Sequence, residues 1–130
     1  AAAYRTLLVP LAARHELELA PEPAPGERFN RHIVHVLIPR GLDRDAIGRG
    51  MRARGVQVTA HFQTLHDSPY MRQTWPGEPP HLPGTADTCT RLLRLPIYPS
   101  LGDADVERVV AALAAELDDA RSSSGLPRRR

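Results

Sequence analysis

The sequence predicts an α+β fold: a small three-stranded, mainly antiparallel sheet with helices packed on one face. Three stretches carry that expectation. His32 to Ile38 reads HIVHVLI, a strand-like run with β-branched residues. Asp103 to Leu117 sets Val106, Val109, Val110, Leu113 and Leu117 in one apolar stripe at helical spacing. Between them, LDRDAIGRGMRARGVQVTA passes from a capped helix into an alternating strand.

Residues 1 to 15 are rich in Ala and Leu and read as a helix interrupted at Pro10, which has no N–H to donate. Leu7, Leu8, Val9 and Leu11 cluster without an obvious local partner, so an exposed apolar surface is expected. Glu16 to Ala20 is a short strand candidate with Leu17 and Leu19 inward. PEPAPGE (Pro21 to Glu27) suits neither helix nor central strand and is a connector. After HIVHVLI, Asp43 is the N-cap of a helix running to Arg54. Leu42 and Ile47 staple its start, and Gly55 takes the left-handed position past its end. Gly48 and Gly50 weaken it by about 1 kcal/mol each relative to alanine, so it depends on tertiary packing.

Val56 to Ala60 is expected as the second central strand, with Val56, Val58 and Ala60 inward. His61 to Pro80 is irregular apart from a helical turn at Tyr70 to Thr74, started by Pro69. Gly84 to Leu93 reads as a helix. LRLPIY (Leu93 to Tyr98) is a third strand, assigned to a sheet edge because of Pro96, with Tyr98 capping the core. Leu101 and Val106 staple the last helix. The chain divides into a linking helix, short strand and connector (1–27), an α+β domain (28–118) and an Arg-rich tail (119–130) whose composition predicts disorder.

A chain of 130 residues is one domain's worth, and 42% apolar with 25% charged residues is ordinary for a soluble globular protein. The formal charge of +2 comes from the closing Arg128, Arg129 and Arg130. Without them the charge is slightly negative, so no nucleic-acid surface is indicated. Cys89, the one cysteine, excludes an internal disulfide. No apolar run reaches the roughly 20 residues of a membrane span, and the start lacks a signal-peptide pattern, which places the expectation in the cytoplasm. Ala1 in place of an initiator Met is what a piece of a longer protein would show. All 17 basic residues are arginine. With no lysine, no side chain here can form a Schiff base with a carbonyl compound or pyridoxal phosphate.

The candidate site is the stretch VQVTAHFQTLHDSPY, where a strand empties into His61, His66 and Tyr70. His61 falls on the outward parity just as the strand ends, free to turn toward a cleft; the alternative is an imidazole satisfied by a backbone carbonyl. Tyr70 either donates to a phosphate or sugar hydroxyl or packs on Trp75. His66 holds the loop or edges the pocket. With only His81 and Cys89 as further ligand types, a zinc site is not indicated.

In order and spacing, HIVHVLI, LDRDAIGRGMRARGVQVTAHFQTLHDSPY, HLPGTADTCTRLLRLPIYPSL and DADVERVVAAL resemble the C-terminal domain of the DegT/DnrJ/EryC1/StrS aminotransferases. Those are pyridoxal-phosphate enzymes acting on nucleotide-linked keto sugars. The resemblance covers about residues 4 to 117. It implies the small domain of an aspartate-aminotransferase-type fold, and a partner large domain that carries the lysine and holds the cofactor. It further implies a homodimer when complete, a nucleotide-sugar substrate, an amino-acid donor, and a substrate-side role for His61, beside which Tyr70 and His66 are the other expected substrate-binding residues. Thr85, Ala86 and Asp87 stand where a Glu is frequent, and Gly102 where a Thr caps the last helix. The other reading is a free-standing, non-catalytic α+β binding or interaction module.

Overall fold

The computed structural model describes residues 2–30, 32–60, 63–78 and 80–124. Its elements in chain order are α1 (Ala2–His15), β1 (Glu18–Leu19), β2 (Val34–Leu37), α2 (Arg44–Ala53), β3 (Thr59–Ala60), a 3₁₀ turn (Leu65–Asp67), α3 (Pro69–Thr74), α4 (Pro83–Arg91), β4 (Leu92–Leu95) and α5 (Asp103–Ser124). The sheet is antiparallel and four-stranded, in the order β1-β2-β4-β3. The expected three-stranded sheet thus gains a strand. Glu18 and Leu19 pair with Leu37 and Val36 and cover the outer edge of β2.

Local sequence explains α2 well. The Asp43 carboxylate accepts the N–H groups of Asp45 and Ala46, and these bonds hold its carboxyl below the ordinary value of 3.8. At the other end Gly55 has φ +78°. Its N–H donates to Arg52 and the Val56 N–H donates to Met51, the paired bonds of a Schellman close. Met51 and Val56 are both buried, which adds the hydrophobic contact of that motif.

A depressed carboxyl pKa means stabilisation that is present above the unfolded value and lost as pH falls through the folded one. Asp43→Ala is therefore expected to lower the urea midpoint at pH 7, and the gap from wild type should close as the buffer is taken well below pH 3.8. Denaturation curves at pH 7 and at pH 2.5 to 3 would check this.

Proline misleads at two places. Pro10 sits inside an uninterrupted α1. The buried residues of that helix are Tyr4, Leu8, Leu11 and His15, whereas Val9 and Pro10 face solvent, where water can take the released carbonyl. Leu8 and Leu11 consequently have a partner after all, since they belong to the core beside α5, and Leu7 packs against it half-buried. Pro96 does not put its strand on an edge. β4 stops at Leu95 and lies between β2 and β3. The Pro96 carbonyl accepts the Tyr4 hydroxyl at 2.8 Å, and burial pushes that phenol up to about 12.

The second central strand expected at Val56 to Ala60 is instead a two-residue edge strand, β3, preceded by Val56 and Val58 in the core. Ala60 is exposed. Tyr98 is 49% exposed and does not cap the core. The expected tail is shorter than read: α5 continues to Ser124, because Arg121 is buried and donates to the His15 carbonyl at 2.7 Å and to Glu16 at 3.1 Å. Residues 125–130 lie outside the described residues. A single core joins α1, β2, α2, β4 and α5.

Candidate functional site

The polar stretch after β3 is built by short-range chemistry. Asp67 donates its N–H to the Thr64 carbonyl and Ser68 to that of Leu65, closing the 3₁₀ turn. Ser68 caps α3 by accepting the Met71 N–H at 3.2 Å, and Pro69 occupies the first helical position, where its missing donor costs nothing. The helical turn expected at Tyr70 to Thr74 is there.

Asp67 is the hub of this segment. One carboxylate oxygen accepts the Thr64 hydroxyl at 3.0 Å and lies 3.3 Å from His66 Nε2. The other accepts from the Arg72 guanidinium at 3.4 Å. Thr64's hydroxyl first, with the His66 and Arg72 charges adding, keeps the Asp67 carboxyl below its usual range and therefore ionised near neutrality. The His66 side chain is 11% exposed.

These groups open onto a polar pocket of about 550 Å³ between the 3₁₀ turn, α3 and the start of α4. Its chemistry is set by His66, Asp67, Arg72, Glu78 and His81, with Leu82 supplying apolar wall. Of the three residues singled out from sequence, His66 lines this pocket. Tyr70 does not, and its side chain stands 69% exposed on α3. His61 lies outside the described residues. The sequence pattern does not single out Asp67, Arg72 or Glu78, and marks His81 only as a metal-ligand type. For Asp67 a signal existed: a carboxylate directly after His66, three residues beyond a hydroxyl in Thr64.

A second concavity, of about 480 Å³, lies between the first half of α1 and the chain around β1 and the start of β2. It is walled mainly by Tyr4, Leu8, Leu19, Phe29, Ile33 and Val34. His32 and His35 sit at it, and Arg5, paired with Glu22 at 2.7 Å, ties the connector to α1 beside it. Among the described residues no group of three or more His, Cys, Asp or Glu is arranged to hold a metal, and no helix is long and apolar enough to cross a membrane.

Solved structures resemble this architecture. The aminotransferase TlmJ from Streptoalloteichus hindustanus is 26% identical with a TM-score of 0.76, over 90% of this chain and 30% of its own. DesI, solved in the presence of its TDP-sugar product, is 28% identical with a TM-score of 0.74, over 95% of this chain and 31% of its own. The sugar aminotransferase CalS13 from Micromonospora echinospora shares the fold at 16% identity, with a TM-score of 0.68, over 87% of this chain and 28% of its own. The class is thus sugar-aminotransferase-like, and this chain spans about 30% of the length of the first two structures. The model of the DegT/DnrJ/EryC1/StrS aminotransferase family matches residues 1–114, and the chain belongs to that family.

The family implies pyridoxal phosphate, but the residues present do not fit its covalent attachment. There is no lysine to carry it. The apolar groove beside α1 offers wall but no amine.

Proposed function

We propose that this chain is the C-terminal, substrate-side domain of a pyridoxal-phosphate-dependent aminotransferase acting on nucleotide-linked keto sugars, completed by a lysine-bearing large domain. One observation carries this reading. A family match across 1–114 coincides with a chain that has no lysine and spans less than a third of the matched structures. In such a pairing this domain shapes the pocket, excludes water and orients the sugar, while the covalent chemistry belongs to the other domain. His61, His66 and Tyr70 are the residues assigned to the substrate side. The complete enzyme takes an amino-acid donor and works as a homodimer in the cytoplasm.

The purified chain is expected to show no aldimine absorbance with pyridoxal phosphate and no transamination of a nucleotide keto sugar on its own. Joined to, or mixed with, a lysine-bearing large domain encoded beside it, it should restore turnover. Autonomous transamination by the chain, or neighbouring coding sequence without such a domain, would sink the reading.

A further inference from the structure

β4 carries a cation that the fold leaves without a counter-charge. Leu93 and Leu95 are 1% and 4% exposed in the core, so Arg94 between them points to the opposite face of the sheet. There it is half-buried. Of the other described arginines that are not exposed, Arg5 donates to the Ala20 carbonyl, Arg44 to that of Leu92, Arg91 to that of Ile38 and Arg121 to that of His15. Arg94 has no hydrogen bond or ion pair among the described residues. The carboxylate that strand register sets on its face, Glu18 opposite Leu37, is held by Arg91 and Arg40. We propose that Arg94 is the seat of a binding site for a small monocarboxylate, completed by Thr59 and flanked by His35.

The register builds the site. It sets His35 of β2 and Thr59 of β3 directly opposite Arg94. Residues paired in this way share a face, with Cβ atoms about 5 Å apart. Three strands thus bring an imidazole, a guanidinium and a hydroxyl into one row. β3 is the edge of the sheet and Thr59 is exposed, so the row opens to solvent on that side.

Charge and shape decide the ligand. A guanidinium does not shed its proton near neutrality, and a half-buried one without an anion loses hydration with nothing in exchange. Its planar fork presents two parallel N–H donors, which match the two oxygens of a carboxylate. The Thr59 hydroxyl adds a further donor beside it. One permanent positive charge balances one negative charge. A phosphate group would bring nearly two, and the row holds no second permanent cation to meet the excess.

The test uses the full 130-residue chain at pH 7, with sodium acetate and inorganic phosphate as separate probes and ionic strength held by sodium chloride. The readout is the arginine Nε signals in nitrogen spectra. The Arg94 signal, identified by its loss in Arg94→Met, should move saturably with acetate, whereas that of the exposed Arg28 should only drift. Phosphate should bind more weakly than acetate. Thr59→Val should weaken acetate about fivefold, as when one hydrogen bond is lost. Arg94→Lys, which keeps the charge but not the fork, should weaken it about tenfold. In chloride alone, Arg94→Met should keep or raise the urea midpoint, because it removes an unmatched charge. Circular dichroism would confirm that each variant keeps its helices. Arg94 drifting as Arg28 does would overturn the site. So would a lowered urea midpoint in Arg94→Met without acetate, since the guanidinium would then have a partner within the fold. Phosphate binding more tightly than acetate would overturn the carboxylate assignment, and an unchanged affinity in Thr59→Val would overturn the part given to the hydroxyl. The domain reading stands apart from all of these, because it is decided by turnover with the lysine-bearing partner.

Discussion

Arg91→Ala is expected to cost about 3 kcal/mol of stability, the scale seen when one member of a buried charge network is removed. Arg91 is 6% exposed at the junction of α4 and β4. Its Nε donates to the Ile38 carbonyl at 2.8 Å, one terminal nitrogen to Asp87 at 2.9 Å, and the other to Glu18. One guanidinium therefore fastens β1, the end of β2 and α4. Alanine strands a carbonyl and leaves the packed stem unfilled. Glu18 and Asp87 are partly exposed and keep Arg40, which moderates the loss. Arg91→Met, which refills the stem but not the donors, should recover part of it. Urea unfolding would measure both, with a shifted midpoint and an unchanged slope. A loss below about 1 kcal/mol would mean that water replaces all three acceptor contacts.

Leu113→Ala should be at least as damaging, at about 3 to 4 kcal/mol, through lost burial plus the cavity left behind. Leu113 is 0% exposed in α5, the helix that packs on both α1 and α2. Leu113 sits in the one core that also holds residues of α1 and α2, so the gap cannot close by moving a single side chain. Leu113→Met, similar in volume, should cost less than about 1.5 kcal/mol. Against the 5 to 15 kcal/mol typical of a domain, alanine here should lower the thermal midpoint by many degrees, readable by calorimetry.

What could be read from sequence divides by range. Asp43, Gly55, Ser68 and Pro69 act within four residues of themselves, so α2 and α3 were legible. The stripe from Val106 to Leu117 was legible because burial repeats with the helical period. Pro10 and Pro96 were misread because their cost depends on which way the helix faces and where the strand stops. Both are tertiary facts. The end of α5 escaped notice for the same reason: RSSSG reads as a tail until the guanidinium of Arg121 meets the His15 carbonyl. Asp67 is hard to read because its partners meet it only once the 3₁₀ turn and α3 have formed: Thr64 and Arg72 both reach its carboxylate.

The contacts that close the molecule join its two ends. Tyr4 reaches Pro96 across 92 positions, Arg14 reaches Asp118 across 104, and Arg121 reaches His15 across 106. Loop-closure entropy must be met before any of these contacts is rewarded, so docking of α1 on α5 is expected late in folding. Until then the Leu8 and Leu11 face of α1 stays open to water and to other chains. On a ribosome α1 is made well before α5, and for that interval its apolar face is what a chaperone would find to hold.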